Sequence, residues 1–282
     1  MAKEITVQSL YFSPTGTTRR ILSAIEEHTD LPLSGNIDLT LPKQRDSFTG
    51  KVQGDILLVG SPVYSGSPPW PMLEPLNRIE GGGRWAIPVA VYGNRSADTC
   101  LEEMAKILRR RGFKILAGAS FVAEHSFASE SHPYALGRPD QSDLEIAGRF
   151  GKQIRKKLSL NPTEIQTSGL LYNLFTREMV ESFPDDYHKK VIGFTRALCR
   201  PIFSEEAKCT DCMKCADVCP TGAMKIDSRE IDDGLCILCA ACTRACPEGA
   251  LSLRYDDSPS SRQMLEMLEK IFAVRKEPVI YI

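Results

Sequence analysis

Four runs of mainly apolar residues follow one another in the first part of the chain, and each has the length of a strand. They read ITVQSLYF (5–12), GDILLVGSPVY (54–64), RWAIPVAVYGN (84–94) and FKILAGASFV (113–122). Because the apolar positions are nearly continuous, both faces of each predicted strand must be covered. The pattern therefore predicts a parallel sheet enclosed between two layers of helices.

Segments with the helical spacing of apolar residues separate these strands. They read TTRRILSAIEEH (17–28), ADTCLEEMAKILRRRG (97–112) and SDLEIAGRFGKQIRKKL (142–158). The second segment closes on Gly112, and Ser142 is a candidate cap for the third. Strands that alternate with helices predict an α/β fold, a doubly wound parallel sheet.

Two further apolar segments lie outside this alternation. In residues 161–200, one helical face is formed by Leu170, Leu171, Leu174 and Phe175. We interpret this segment as a helical brace, because a flexible linker would be polar or rich in glycine and serine. A substrate pocket in the same segment is the alternative. The tail, residues 257–282, is predicted to be helical and to pack back onto one domain.

Eight of the ten cysteines form two rows with the spacing C-x2-C-x2-C-x3-C-P. The rows read CTDCMKCADVCP (209–220) and CILCAACTRACP (236–247), so each cysteine recurs after 27 residues. The spacing resembles that of bacterial two-cluster ferredoxins, in which the fourth cysteine of a row ligates the other cluster. Structural zinc is the alternative, but zinc sites need no third cysteine at the same interval.

The ferredoxin resemblance implies two [4Fe–4S] clusters with crossed ligands. The first cluster takes Cys209, Cys212, Cys215 and Cys246. The second cluster takes Cys236, Cys239, Cys242 and Cys219. The remaining cysteines, Cys100 and Cys199, have no partner at ligand spacing, and we expect them to be buried.

The loops after the predicted strands are the candidate ligand site, since open parallel sheets bind ligands beyond the carboxyl ends of their strands. The first loop, SPTGTT (13–18), offers hydroxyl groups at the start of a helix, where a phosphate binds favourably. It lacks the Walker and dinucleotide motifs, and simple helix capping is the alternative. Two later loops, at 61–71 and 91–99, place an aromatic beside small residues, as a flat heteroaromatic ring requires.

These motifs together resemble the flavodoxin–ferredoxin fusion family. The motifs that carry the resemblance are YFSPTGTT, GSPVYSG, VYGNRSAD, AEHS and GRPD, together with the cysteine rows. The resemblance implies a flavodoxin-like sheet with strand order 2-1-3-4-5 that binds FMN, followed by a small α+β ferredoxin-like domain. The implied boundaries are 1–160 for the FMN domain, 161–200 for the connection, 201–256 for the ferredoxin-like domain and 257–282 for the tail.

The family resemblance also implies the flavin-binding residues. The phosphate would bind to Ser13, Thr15, Gly16, Thr17 and Thr18. The ring would lie between two loops that contain Ser61, Pro62, Val63, Tyr64, Gly66, Tyr92, Gly93, Asn94, Arg95 and Asp98. Tyr64, Tyr92 and Trp70 are the candidates for stacking on the ring. His125 is a candidate catalytic acid, with a structural histidine as the alternative, and the stretch 125–142 is a candidate lid or docking surface.

Composition narrows the classes of function. The chain of 282 residues has 42% hydrophobic and 25% charged residues, and its formal net charge of -1 provides no field that attracts nucleic acid or an anionic membrane. No apolar run is long enough to span a bilayer, and the N-terminus reads as a strand and not as a signal peptide. We therefore expect a cytoplasmic protein that neither binds nucleic acid nor inserts into a membrane.

The combined cofactors imply electron transfer, because clusters carry single electrons and FMN exchanges one or two. The first hypothesis is a carrier between other redox proteins. The second is an FMN-dependent reductase of a small acceptor such as a quinone, free flavin, corrinoid, nitro or azo compound. The third is a redox sensor. A deep apolar pocket over the flavin would favour the reductase hypothesis, whereas a flat, exposed flavin edge would favour the carrier hypothesis. The oligomeric state is open, and a homodimer is compatible with the sequence.

Overall fold

A computed structural model of the chain describes residues 4–160, 162–165 and 187–282. In chain order the strands are β1 (Val7–Tyr11), β2 (Leu33–Asp38), β3 (Ile56–Pro62), β4 (Trp85–Tyr92), β5 (Lys114–Ile115), β6 (Gly118–Val122), β7 (Cys199–Phe203), β8 (Met224–Lys225), β9 (Glu230–Ile231), β10 (Leu251–Tyr255) and β11 (Val279–Tyr281). The helices are α1 (Thr17–Glu26), α2 (Pro42–Ser47), α3 (Trp70–Arg78), α4 (Cys100–Arg110), α5 (Gln141–Ser159), α6 (Tyr187–Leu198), α7 (Lys214–Asp217), α8 (Ala241–Ala245) and α9 (Pro259–Ala273).

The main sheet has the strand order β11-β6-β4-β3-β1-β2. With β6 as the fifth strand, this confirms the predicted order 2-1-3-4-5. The pairs among β1, β2, β3, β4 and β6 are parallel, and β11 is antiparallel to β6. Two apolar clusters cover the sheet, one with α3 and α4 and the other with α1 and α5.

The predicted single strand at 113–122 is wrong, because it is divided into β5 and β6. Both pieces pair with β4, and Leu116 lies between them. The amide of Leu116 still donates to Ala86 O at 3.0 Å, but its carbonyl accepts from the ammonium group of Lys157 at 2.8 Å. In a continuous parallel ladder this carbonyl would face the nitrogen of Pro88 on β4, which has no hydrogen to donate, and Lys157 on α5 supplies the donor instead.

The cysteine-rich part repeats its backbone as well as its sequence. Two short helices, α7 and α8, are preceded by the N-cap residues Met213 and Ala240, and both of these residues are left-handed, with φ of 62° and 56°. Asp211 and Leu238, two residues earlier in each row, are also left-handed. The antiparallel pair β7–β10 and the hairpin β8–β9 complete this small α+β unit.

The C-terminal tail is helical only in its first part. Helix α9 ends at Ala273, and the chain then continues into β11, which adds an edge strand to the main sheet. The predicted helical face with Leu170 to Phe175 lies outside the described residues, whereas α6 forms the last part of the predicted connection. Within the described ranges, none of the helices has both the length and the apolar character that a membrane crossing requires.

Candidate cofactor sites

A cavity of about 790 Å³ lies beyond the carboxyl ends of β1, β3 and β4. Among the predicted site residues, those that line it are Thr15, Thr17, Pro62, Val63, Tyr64, Gly66, Tyr92, Gly93, Arg95, Asp98 and His125. The structure thus brings residues from the loops after β1, β3, β4 and β6 to one cavity at the edge of the sheet where open α/β folds bind ligands.

The loop between β1 and α1 has the form of an anion-binding loop. Gly16 is left-handed, with φ of 78°, and precedes the first helical residue, Thr17. The amide of Ser13 donates to Thr40 Oγ1 at 2.9 Å, which holds the loop against the segment after β2. A Cβ atom on Gly16 would meet nothing within 4 Å, so the space beside the helix start is open. The hydroxyl of Thr18 is buried there without a partner among the described residues.

The loops after β3 and β4 hold several left-handed residues that are not glycine. These are Ser65, Asn94 and Asp98, with φ of 53°, 59° and 43°. Such backbone costs on the order of 1–3 kcal/mol per residue and is concentrated at ligand sites. The carboxylate of Asp98 pairs with Arg95 through one oxygen, while Oδ1 is buried without a partner among the described residues.

Five predicted residues do not line the cavity: Ser13, Gly16, Thr18, Ser61 and Asn94. Asn94 shows a different role. Its Nδ2 donates to the carbonyls of Phe272 and Val274 at 2.9 and 3.0 Å, and its Oδ1 accepts from the amide of Lys276 at 3.2 Å. The side chain of Asn94 therefore fastens the C-terminal tail to the loop that follows β4.

His125 lines the cavity as a neutral ring. Its Nδ1 accepts a hydrogen bond from the amide of Phe127 at 3.0 Å, so the proton of the neutral imidazole is on Nε2. Burial, together with the smaller effects of the charges of Arg95 and Arg244, lowers the pKa of His125 to about 3. At neutral pH this side chain offers an N–H donor, and it has no imidazolium proton to give.

Three further aromatic residues line the cavity: two lie in the stretch 125–142, predicted as a candidate lid or docking surface, and the third, in the tail, was not predicted to line it. Phe127 and Tyr134 belong to the long loop after β6, and Phe272 belongs to α9. The rings of Tyr134 and Phe272 stack with centroids 4.5 Å apart. The available signals were the unusual length of the loop and the amphipathic tail. Trp70, a stacking candidate, does not line the cavity and is 49% exposed.

The eight row cysteines lie in two quartets, and each quartet surrounds a small cavity. One cavity is lined by Cys209, Cys212, Cys215 and Cys246. The other is lined by Cys219, Cys236, Cys239 and Cys242. In both quartets the fourth cysteine comes from the other row. Among the described residues, no group of three or more His, Cys, Asp or Glu side chains is arranged to hold a metal ion. Cys100 and Cys199 are buried, as expected.

The two quartets differ in their surroundings. In the first, Cys212 is exposed, whereas in the second Cys239 and Cys242 are buried. Burial raises the pKa of Cys239 to about 12. For Cys246, burial also raises the pKa, but hydrogen bonds from backbone N–H groups, chiefly that of Leu251, outweigh it and lower the pKa overall. The second quartet is thus the more enclosed.

The second quartet adjoins the cavity of about 790 Å³, which is called the flavin-loop cavity here because the loops predicted to bind flavin line it. Ile237 and Leu238 lie between two of its cysteines and line that cavity. Ile237 and Cys239 also belong to the apolar core on the α3–α4 side of the main sheet. Arg244 pairs with Glu124 at 2.8 Å. The cluster-binding part and the sheet therefore share both a core and a cavity wall.

One protein family and several solved structures are similar to parts of this chain. The 4Fe-4S dicluster domain family matches residues 208–250. A flavodoxin from the domain Archaea is 16% identical, covers 55% of this chain and 99% of its own, and has a TM-score of 0.41. A Fusobacterium nucleatum flavodoxin mutant bound to flavin mononucleotide is 15% identical, with 58% and 100% coverage and a TM-score of 0.38.

A further similar structure is rubredoxin oxygen:oxidoreductase from the anaerobe Desulfovibrio gigas. It is 14% identical, covers 55% of this chain and 36% of its own, and has a TM-score of 0.42. A search of curated proteins found none that matches the chain.

The parallel sheet with strand order 2-1-3-4-5 and the match to a 4Fe-4S dicluster domain together support an electron-transfer function. The sheet comes first in the chain and the dicluster domain follows it. This order of parts is consistent with the fusion that the sequence motifs resemble.

Proposed function

We propose that this chain transfers single electrons between an external redox protein and one FMN through two [4Fe–4S] clusters. The observation that carries the proposal is the position of Ile237 and Leu238, which lie between Cys236 and Cys239 of the second quartet and also line the flavin-loop cavity. A cluster in that quartet would be separated from a flavin in the cavity by little more than this dipeptide.

The residues of the cavity fit FMN. The phosphate would lie at the start of α1, where the open space beside Gly16 and the first N–H groups of the helix suit an anion. The hydroxyl of Thr18, two residues after Gly16, is buried without a hydrogen-bond partner among the described residues. The ring would lie between the loops at 62–66 and 92–98, with the N–H of His125 and the apolar faces of Phe127 and Tyr134 around it. When bound, FMN supplies the exchange between one-electron and two-electron steps.

The exposure of the cysteines supports an order of transfer. The first quartet includes the exposed Cys212, so a cluster held there is accessible to another redox protein. The second quartet is enclosed and adjoins the cavity. We therefore place the external redox partner at the first cluster, the second cluster in the middle and FMN at the inner end.

The test of this function is the cofactor content of anaerobically reconstituted protein. It should hold about eight iron and eight sulfide per chain, as two four-iron clusters require, together with one FMN. Zinc in place of iron and sulfide would contradict the proposal. FMN binding without an effect of the external donor on its redox state would contradict the order of transfer.

A second candidate function is reduction of a small acceptor at the flavin. It is favoured by the depth of the cavity, which is covered by apolar residues of α6 and α9 such as Leu198 and Leu265 and so differs from a flat exposed edge. A water-soluble naphthoquinone should then reoxidise the reduced flavin with saturation kinetics. Phe194→Glu, at the exposed rim of the same cavity, should raise the half-saturating concentration. If the reoxidation rate rises linearly with quinone concentration in both proteins, without saturation, the reductase function is refuted and the carrier function remains.

A further inference from the structure

Three arginines donate hydrogen bonds that join the loops of the second quartet to their surroundings. Arg196 donates to Cys236 O at 2.8 Å, and Arg244 donates to His125 O at 3.1 Å. Arg45 donates from Nη2 to Pro220 O at 2.6 Å, and Pro220 follows the crossing cysteine, Cys219. The three differ in how their charge is balanced.

Arg196 and Arg244 each have a carboxylate partner. Arg196 pairs with Asp233 at 3.3 Å, and Arg244 pairs with Glu124 at 2.8 Å. No ion pair joins Arg45 to any carboxylate in the described part of the chain. Asp46 follows Arg45 in α2 and acts on it electrostatically, without pairing with it.

A second nitrogen of the Arg45 guanidinium also donates to backbone carbonyls. Nη1 donates to Leu39 O at 2.9 Å and to Thr40 O at 2.7 Å, and the guanidinium lies 5.9 Å from the centre of the Phe12 ring. Arg45 thus holds the Cys219–Pro220 turn against the segment that supports Ser13 and the phosphate loop. Among the described residues, the half-buried Arg45 donates its side-chain hydrogen bonds only to carbonyls and has no carboxylate paired with it, which is unusual for a group so costly to desolvate.

We propose that the missing counter-charge is the second cluster, and that Arg45 is a positioning residue that orients the Cys219 turn and raises the reduction potential of that cluster. This inference rests on the proposed function, since it requires a cluster in the second quartet. A four-iron cluster with four thiolates is anionic and gains one more negative charge on reduction. A fixed positive charge beside it therefore stabilises the reduced form more than the oxidised form.

The test is an anaerobic redox titration of the full-length protein, with the clusters followed by paramagnetic resonance. Cys212→Ala, which removes a ligand of the first quartet, identifies the signal of the second cluster. Arg45→Gln keeps a donor but removes the charge, and it should lower the potential of the second cluster while leaving the first unchanged. Arg45→Lys keeps the charge and should titrate closer to the wild type than Arg45→Gln does.

Arg78→Gln is the matched control. Arg78 also donates to backbone carbonyls, including Arg45 O, and lies over an aromatic ring, but it pairs with Glu74. Its replacement loosens α2 without removing the charge of Arg45, and it should leave both potentials unchanged. Equal potentials for the second cluster in Arg45→Gln and Arg45→Lys, or equal shifts of both clusters, would overturn the inference.

Iron and sulfide analysis of the same samples separates this inference from the proposed function. Wild-type protein without about eight iron per chain would refute the two-cluster proposal itself. A full complement of iron in every variant, with an unmoved potential for the second cluster, would refute only the role of Arg45. Loss of the second cluster from both Arg45 variants, with the first retained, would support the positioning role.

Discussion

At the scale of single residues, the close approach of the backbone at Gly93 to His125 requires glycine at position 93. A Cβ atom on Gly93 would lie 2.8 Å from the Cα of His125, well inside van der Waals contact, so only glycine allows the loop after β4 to pass this close. The imidazole then packs edge-on against Phe127 and Phe272, with centroids 5.1 and 4.9 Å away. Such enclosure penalises the charged ring, which explains why His125 is neutral in the folded protein.

The neutral state of His125 gives a prediction about pH. Its pKa is lowered from 6.5 to about 3, first by burial and then by Arg95 and Arg244. Below pH 6.5 the unfolded chain binds a proton that the folded chain does not, so the free energy of unfolding should decrease as the pH is lowered from 6.5 towards 3. The slope should be at most about 1.4 kcal/mol per pH unit. Anaerobic urea unfolding at pH 7.5, 6 and 5 measures it.

His125→Asn is the control for this slope, since the Asn Oδ1 can still accept from the amide of Phe127. The variant should lose less stability than the wild type over the same pH interval, and the difference isolates the imidazole from all other titrating groups. Parallel curves for the two proteins would show that His125 does not resist protonation.

The crossed ligands of the quartets give a second prediction at this scale. Cys219 lines the cavity of the second quartet, so Cys219→Ala and Cys236→Ala should damage the same cluster. The double variant of these two residues should keep about four iron per chain, whereas Cys219→Ala combined with Cys209→Ala should lose both clusters. Iron analysis and paramagnetic resonance measure this. The reverse pattern would show that each row holds its own cluster.

At the scale of elements, the start of α1 depends on one left-handed residue. Gly16 has φ of 78°, and a side chain there would meet no neighbouring atom. The cost of replacing it is therefore backbone strain and not a clash, on the order of 1–2 kcal/mol. Strain at this position should open the loop on which the proposed phosphate site depends.

We therefore expect Gly16→Val to weaken FMN binding roughly tenfold, which corresponds to about 1.4 kcal/mol, and to leave the clusters intact. Gly82→Val is the matched control, because Gly82 is also left-handed, with φ of 56° and open space around it, but lies in the turn before β4. Fluorescence titration of the apo-protein with FMN measures the affinity. An equal loss in both variants would indicate general destabilisation, and no loss in Gly16→Val would place the phosphate elsewhere.

The strands that the sequence reveals are the buried ones. β1, β3 and β4 are apolar on both faces, and their runs could be read directly. β2 (LSGNID) is a partly exposed edge strand with no apolar run, so periodicity could not detect it. Ser142 was also the wrong cap for α5, which begins one residue earlier, because Asp140 accepts from the amide of Asp143 at 3.1 Å.

The candidate site was predictable where a local motif forms it and unpredictable where distant segments meet. The loops around Thr15, Tyr64 and Tyr92 follow strands and carry recognisable residues. By contrast, Phe272 reaches the cavity only because the tail returns to the sheet, a contact between positions far apart in the chain. No local pattern encodes that return, and the same is true of the bonds from Asn94 to the tail.

At the scale of the whole molecule, the two parts are interlocked. β11, at the end of the chain, completes the main sheet beside β6, so the sheet draws strands from both sides of the cysteine rows. Ile237 and Cys239 extend the core of the same sheet. Such a joint fixes the distance between the second quartet and the flavin-loop cavity, whereas a flexible linker would let it vary.

Electron transfer from the second cluster to FMN should therefore be fast and should occur within one chain. Stopped-flow reduction by a low-potential donor should show a first-order flavin phase whose rate does not change with protein concentration. Transfer between two chains would also give that result in a stable homodimer, so a further measurement is needed. The interlocked fold excludes testing separated halves, since a half that ends at residue 160 would lack β11.

Two full-length variants can make the distinction. Cys236→Ala should lack the second cluster but bind FMN, and FMN-depleted wild type should hold both clusters without a flavin. If transfer is confined to one chain, a mixture of the two should reduce its flavin no faster than Cys236→Ala alone, with FMN-loaded wild type as the positive control. The mixture is tested before FMN can move from one protein to the other. An affinity tag on one protein allows the two to be separated afterwards, and the flavin content of each then verifies that FMN did not exchange. Recovery of the wild-type rate in the mixture would show that the clusters of one chain serve the flavin of another, and that the interlocked joint is not the path of the electrons.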